Sequence, residues 1–215
     1  MALKRDFKDY LDRFVLMAEN GGIVGDRGST IVQHHLDRSC IHQVIDALKP
    51  LSIPSVMSGL DHGYVMDSDD PRFFDHIHVY YDAIKLDSLD GLKDDVFKVS
   101  AFAWRDSRNT IYEPLKYLGA TMDVVVAGDQ WVDFNPKGVS KGNTLKEIMA
   151  YYGLTKEQCM AFGDQDNDLT MIESVRHGFA MKNATDNLKA KAAYITDKTN
   201  NENGCVRTIR KLFSI

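Results

Sequence analysis

No apolar run in this sequence approaches the length of a membrane span, so an integral membrane role is not expected. Basic charge is also short: 26 Lys and Arg stand against 31 Asp and Glu, a net charge of −5. That balance argues against non-specific nucleic-acid binding and offers no polybasic patch to a membrane surface. Cysteine is limited to Cys40, Cys159 and Cys205, odd in number, far apart and without metal-type spacing. A disulfide framework is thereby excluded, and the three read as reduced thiols of a cytoplasmic protein. Met1-Ala2-Leu3-Lys4-Arg5-Asp6 lacks the pattern of a signal peptide. Repeats and low-complexity linkers are missing too, so any two parts of the chain should be packed rather than tethered. The histidines, including His34/His35 and His76/His78, have no Cys or Glu partners at ligand spacing, which argues against zinc.

What is present is an ordinary globular composition, 44% hydrophobic and 27% charged over 215 residues. That length suffices for one large domain or two modest ones. Residues Lys4 to Asp12 read as the end of a helix, followed by a strand at Phe14–Ala18, a turn at Asn20-Gly21-Gly22 and a second hairpin arm at Ile31-Val32. Asp37 is placed to cap a helix reaching about Lys49, with Ile41, Val44, Ile45 and Leu48 on one face. Short strands are expected within Ser55–Met66, a helix from Pro71, a strand at Lys98–Trp104, a helix at Ile111–Leu118 and a strand at Met122–Val126. From residue 130 the texture changes. Strands at Trp131–Phe134, Cys159–Phe162, Gly178–Met181 and Ala193–Thr196 alternate with helices at Ser140–Tyr152, Asp186–Ala192 and Arg207–Phe213. From residue 140 onward that alternation predicts parallel strands in βαβ units. The expected organisation is an α/β core from residues 1–35 and 129–215, with an α+β domain, 36–128, inserted into it.

The densest chemistry lies in Gly163-Asp164-Gln165-Asp166-Asn167-Asp168, where an apolar strand breaks into three aspartates and an asparagine before a helical pattern resumes. Three carboxylates in five residues repel one another unless water or a cation lies between them. A hard divalent cation such as Mg²⁺ favours that oxygen-rich setting, and open α/β sheets place ligands at the ends of parallel strands. Asp164, nearest the strand end, is the expected direct ligand. Asp168 is expected to hold the metal's waters or a nearby lysine, and neutral Asn167 to donate to an anionic substrate. The spacing does not match an EF-hand loop. In Pro136-Lys137-Gly138-Val139-Ser140-Lys141-Gly142, a lysine at a helix N-terminus has the wrong sign for the helix dipole unless an anion is gathered there. Asn183, in Asn183-Ala184-Thr185-Asp186, reads as a structural cap. Asp67-Ser68-Asp69-Asp70 has no long apolar strand leading into it and reads as a loop that starts the helix at Pro71.

Lys141 together with Gly163–Asp168 resembles the haloacid dehalogenase superfamily, in particular its Cof-type phosphatases with a large α+β cap. Ala18-Glu19-Asn20-Gly21-Gly22-Ile23-Val24 looks like that family's strand-turn before the cap, and Asn183-Ala184 and Asn203-Gly204-Cys205-Val206 resemble its later landmarks. The resemblance implies a Rossmann-like core with a parallel sheet and an inserted cap (residues 36–128). It further implies a Mg²⁺-dependent hydrolase of small phosphorylated metabolites, such as sugar phosphates, acting through an aspartyl-phosphate. Lys141 would neutralise nucleophile and phosphate as a catalytic and substrate-binding residue, Asn167 would contact substrate, and Asp164 and Asp168 would form the metal site. The family's nucleophile motif, Asp-x-Asp-Gly, occurs nowhere in these 215 residues, nor does its second motif. The expectation is therefore a core lacking its first two strands and inactive by itself. Open sheet edges would then favour self-association or a second chain that supplies the missing half. The alternative is a non-catalytic binding or regulatory module built on cap and core, and the sequence leaves open which of the two holds.

Overall fold

The computed structural model describes residues 7–66 and 70–214. Lys4 to Asp6 of the expected first helix, and Asp67, Ser68 and Asp69 of the second acidic cluster, lie outside the described residues. The chain divides into two compact units, residues 1–139 and 140–215.

The first unit opens with an antiparallel meander of β1 (Val15–Ala18), β2 (Ile23–Asp26) and β3 (Ser29–Gln33). Its first turn is tight: Glu19, Asn20 and Gly21 follow one another at φ values of 51°, 55° and 101°. Helix α1 (Arg38–Leu48) buries Ile41, Val44, Ile45 and Leu48, the stripe read from its helical spacing. After β4 (Ser55–Ser58) and β5 (Gly63–Met66), helix α2 (Pro71–Ile77) begins on a proline that needs no N–H partner. The Asp70 carboxylate caps it by accepting from the Arg72 N–H at 2.9 Å. The unit continues with β6 (Ala83–Leu86), β7 (Lys98–Phe102), a helical stretch over 108–120, β8 (Asp123–Val126) and β9 (Trp131–Asn135). Strands β4 to β9 form one six-stranded sheet in the order β6-β5-β4-β7-β9-β8, antiparallel except between β5 and β6. Met57, Val99, Ala101, Val132 and Phe134 pack beneath α1 and the 108–120 stretch, while Val56, Val65 and Phe102 pack against Phe73 and Ile77 of α2.

The two compact units divide at Val139/Ser140. Strand β9 hydrogen-bonds along β7 and β8, with Asp133 opposite Ser100 and Val125, so it completes the α+β sheet instead of starting the βαβ region. Residues 7–33, expected with the core, fall in the same compact unit as that sheet.

A buried polar cluster joins the meander turn to β7 and β9. Lys98 Nζ lies 3.3 Å from Glu19 Oε2 and 3.4 Å from Asp133 Oδ2. Ser100 Oγ donates to Asp133 Oδ1 at 2.6 Å, and Asn20 Nδ2 donates to Asp133 Oδ2 at 2.7 Å. Burial pulls the Lys98 ammonium down, but the carboxylates of Asp133 and Glu19 outweigh it and hold its pKa above the ordinary lysine value. Next to them, burial and then the Glu19 carboxylate push the Tyr81 phenol up to about 12. A phenol whose folded pKa is raised contributes stability that is complete below its unfolded value, near 10, and is lost as pH climbs toward 12. We therefore expect the urea midpoint to fall between pH 10 and 11, and to fall less steeply in Tyr81→Phe. Parallel slopes in the two proteins would refute this.

The second unit is a run of βαβ elements. Helix α3 (Lys141–Tyr152) is capped by Ser140, whose hydroxyl accepts from the Asn143 N–H at 3.2 Å. Strand β10 (Met160–Gly163) leads through a 3₁₀ turn at Asp166–Asp168 into α4 (Leu169–Glu173). Then follow β11 (His177–Ala180), α5 (Asp186–Lys191), β12 (Tyr194–Ile195) and α6 (Gly204–Phe213). The three strands are parallel in the order β10-β11-β12, as the alternation predicted. Met149, Ala161, Ile172, Val175, Ala180 and Leu188 form the core of this unit. Among the described residues no helix is long and apolar enough to cross a membrane.

Candidate functional site

Every residue singled out from the acidic loop and the lysine turn stands in the second unit, at the carboxyl ends of its parallel strands. Strand β10 ends at Gly163, and a side chain there would place its Cβ 2.5 Å from the Cβ of Asp168. Asp168 folds back over the strand end through that gap. Its Oδ2 accepts from the N–H of Asp164 at 2.9 Å and of Gln165 at 3.2 Å, while Oδ1 accepts from Lys141 Nζ at 2.5 Å. Asp168 is 5% exposed. Of the roles expected for Asp168, the structure holds the lysine partner. Both of its oxygens accept from protein donors, one on Oδ1 and two on Oδ2.

Lys141 is the first residue of α3, where a positive charge opposes the helix dipole. The Asp168 carboxylate offsets that cost from the adjoining loop. Behind the lysine, Gly142 lets α3 meet α4 backbone to backbone: a Cβ at 142 would fall 2.2 Å from both the carbonyl carbon and oxygen of Thr170. Gly142 N–H donates to Thr170 Oγ1 at 3.2 Å.

Asp164 has a different setting. Its carboxylate accepts at Oδ2 from the amide of Asn200, 3.0 Å away, and its backbone carbonyl accepts from the Thr185 N–H at 3.1 Å. Asp166 is exposed and accepts from Thr185 Oγ1 at 2.6 Å. Asn167 is half-buried within the same 3₁₀ turn. Asn183, read as a helix cap, does something else. Thr185 caps α5 by accepting from the Leu188 N–H at 3.2 Å, and Asn183 Oδ1 accepts from the N–H of Asn200 at 3.1 Å. Asn200 and Thr185 were not singled out from the sequence. A threonine three residues ahead of a buried leucine carries a cap signal, whereas Asn200 carries none, since its partner lies 36 residues away.

The donor chemistry fits a magnesium site in part. Asp164 presents a hard carboxylate with one oxygen held by the neutral amide of Asn200. Among the described residues no three His, Cys, Asp or Glu side chains gather in metal-binding geometry. One protein carboxylate would leave most of an octahedral Mg²⁺ shell to water and to other oxygen ligands.

The family model for haloacid dehalogenase-like hydrolases matches residues 4–209. The chain is 27% identical over 213 residues to the 5-amino-6-(5-phospho-D-ribitylamino)uracil phosphatase YbjI of Escherichia coli K12, covering 96% of this chain and 77% of that protein. Among solved structures, SMU.1108c of Streptococcus mutans superposes with a TM-score of 0.88 at 22% identity, over 99% of this chain and 82% of that one. The subclass IIB sugar phosphatase BT4131 superposes at 0.79 with 19% identity, over 100% and 80%. These superpositions carry the fold; the motif order and the match over residues 4–209 carry the family. The chain belongs to the haloacid dehalogenase-like hydrolases.

Proposed function

We propose that these residues are the metal- and phosphate-binding part of a Mg²⁺-dependent phosphatase of small phosphorylated metabolites, sugar phosphates among them. The observation that carries the reading is the unequal treatment of two neighbouring carboxylates at the end of β10. Asp168 is paired with the Lys141 ammonium, while Asp164 is held by the neutral amide of Asn200. In this reading Asp164 holds the cation, Lys141 and Asn167 face the phosphate, and Asp168 fixes the position of Lys141. A bound Mg²⁺ would supply charge stabilisation to a transferring phosphoryl group. The chain's own contribution is to hold the lysine ammonium at 2.5 Å from Asp168 and to place the Asp164 carboxylate just past the end of the same strand. Residues 36–128 with strand β9 are read as the cap that selects the leaving group. Of the proteins compared above, YbjI is a 5-amino-6-(5-phospho-D-ribitylamino)uracil phosphatase and BT4131 a sugar phosphatase, which supports that substrate class. The absence of a membrane-crossing helix among the described residues is consistent with a cytoplasmic setting.

The 215 residues contain no Asp-x-Asp-Gly, so in this reading the attacking carboxylate and its acid–base partner come from outside them, from a further segment or from a second chain of different sequence. The same observation favours a second reading, a non-catalytic binding module. Hydrolysis of p-nitrophenyl phosphate by the purified chain, with Mg²⁺ and with chelator, checks the proposal. We expect no Mg²⁺-dependent turnover from these residues alone. Turnover that chelator abolishes would show that a nucleophile is present within them. If Asp164→Asn leaves Mg²⁺ binding unchanged, the metal assignment fails and the binding-module reading gains.

A further inference from the structure

The loops that follow β10, β11 and β12 are stitched together around one carboxylate. Asn200 donates its side-chain amide to Asp164 Oδ2 at 3.0 Å, and its own N–H donates to Asn183 Oδ1 at 3.1 Å. The turn that presents Asn200 is itself held. Glu202 accepts at Oε2 from the N–H of Thr199 at 3.1 Å and from the Thr199 hydroxyl at 2.9 Å, and at Oε1 from Lys198 Nζ at 3.1 Å. Those donors, the Thr199 N–H first, hold the Glu202 carboxyl down at about 2, so the brace is intact throughout the neutral range.

We propose that Asn200 is a positioning residue for cation binding at Asp164: an amide relay, Asn183 to Asn200 to Asp164, fixes the carboxylate so that Oδ1 alone faces the ligand. The inference rests on Asp164 being the metal carboxylate. Its physical basis is the chemistry of the donor. A lysine or arginine in that position would orient Asp164 equally well but would cancel the charge a cation needs, as Lys141 does for Asp168. An asparagine side chain orients without neutralising. The amide also occupies one oxygen, which favours single-oxygen coordination over a bidentate grip. That selects for the compact octahedral demand of Mg²⁺ over the larger, more tolerant shell of Ca²⁺. Asn200, Asn183 and the turn between Thr199 and Glu202 are solvent-facing, so the relay contributes little to folding and can be removed with the unit intact.

The test is titration of the full chain with Mn²⁺, followed by electron paramagnetic resonance of the free ion, with Mg²⁺ and Ca²⁺ as competitors. Outer partners of metal ligands are worth about 10- to 100-fold in affinity. Asn200→Ala should weaken Mn²⁺ binding about tenfold and narrow the preference for Mg²⁺ over Ca²⁺, with the melting temperature of the metal-free chain unchanged. Asn201→Ala, next to it in the same turn, should change neither. Asn183→Ala, which leaves the donating amide in place but loosens it, should weaken binding by a few-fold, and it serves if Asn200→Ala does not fold. Wild-type affinity and selectivity in Asn200→Ala, or in Asn183→Ala where the first does not fold, would overturn the relay. Asp164→Asn separates the two ideas: if it abolishes binding while the relay variants do not weaken it, only the relay is lost. If Asp164→Asn binds like wild type, the metal assignment falls with it.

Discussion

Asp168→Asn should lower the stability of the second unit by about 3 kcal/mol, the sum of weakened charge-assisted bonds at a buried site. The native carboxylate accepts three donors from three places: Lys141 Nζ on Oδ1, and the N–H groups of Asp164 and Gln165 on Oδ2. An asparagine can keep its oxygen toward the two backbone donors, but its NH₂ group then meets the lysine ammonium, donor against donor. Lys141 is left at a helix N-terminus with no counter-charge, the arrangement the dipole disfavours. Lys141→Gln should be milder, about 1–2 kcal/mol, because it removes the charge together with the salt bridge. Urea unfolding of the two variants and of the double variant measures the coupling. A loss below about 1 kcal/mol in Asp168→Asn would mean the pair is not the clamp described. The functional cost should exceed the thermodynamic one, since a phosphate-facing lysine misplaced by about 1 Å can lose on the order of a hundredfold in rate.

Gly142→Ala should be of similar or greater severity, on the order of 3 kcal/mol, and for a reason opposite to helix propensity. In an isolated helix the change would be favourable by about 1 kcal/mol. Here the added methyl would stand 2.2 Å from the Thr170 carbonyl, a backbone group in α4 that cannot rotate away. The only relief is to part α3 from α4, which carries Lys141 away from Asp168. Gly119→Ala is the control: a Cβ added there would meet nothing within 4 Å beyond its own neighbouring backbone, so stability should stay within about 0.5 kcal/mol. Equal effects at the two glycines would refute the close-approach argument.

These two residues show where reading the sequence succeeds and where it stops. The acidic loop, the lysine turn and the βαβ alternation are local patterns, and each is where it was expected. Helix α1 follows from Ile41, Val44, Ile45 and Leu48, and α2 from Asp70 and Pro71, because capping and periodicity act over a few residues. The need for glycine at 142 depends on Thr170, 28 residues on, and the orientation of Asp164 depends on Asn200. No periodicity encodes such contacts. Strand β9 was legible as a strand, but its sheet was not: Asp133 and Asn135 look like solvent-facing polar residues until Ser100, Lys98 and Asn20 are brought to them. The same long-range pairing puts β9 in one sheet with β4 to β8.

The interior cluster on that strand has a consequence for how this sequence can drift. One lysine answers two carboxylates, so Glu19, Lys98 and Asp133 form a three-way dependence, with partners up to 114 positions apart along the chain. Loss of Lys98 alone strands two negative charges, whereas loss of one carboxylate leaves a matched pair. Substitution should therefore be ordered in time. Glu19→Gln is a tolerable first step, and only after it can Asp133 and Lys98 leave together for apolar residues.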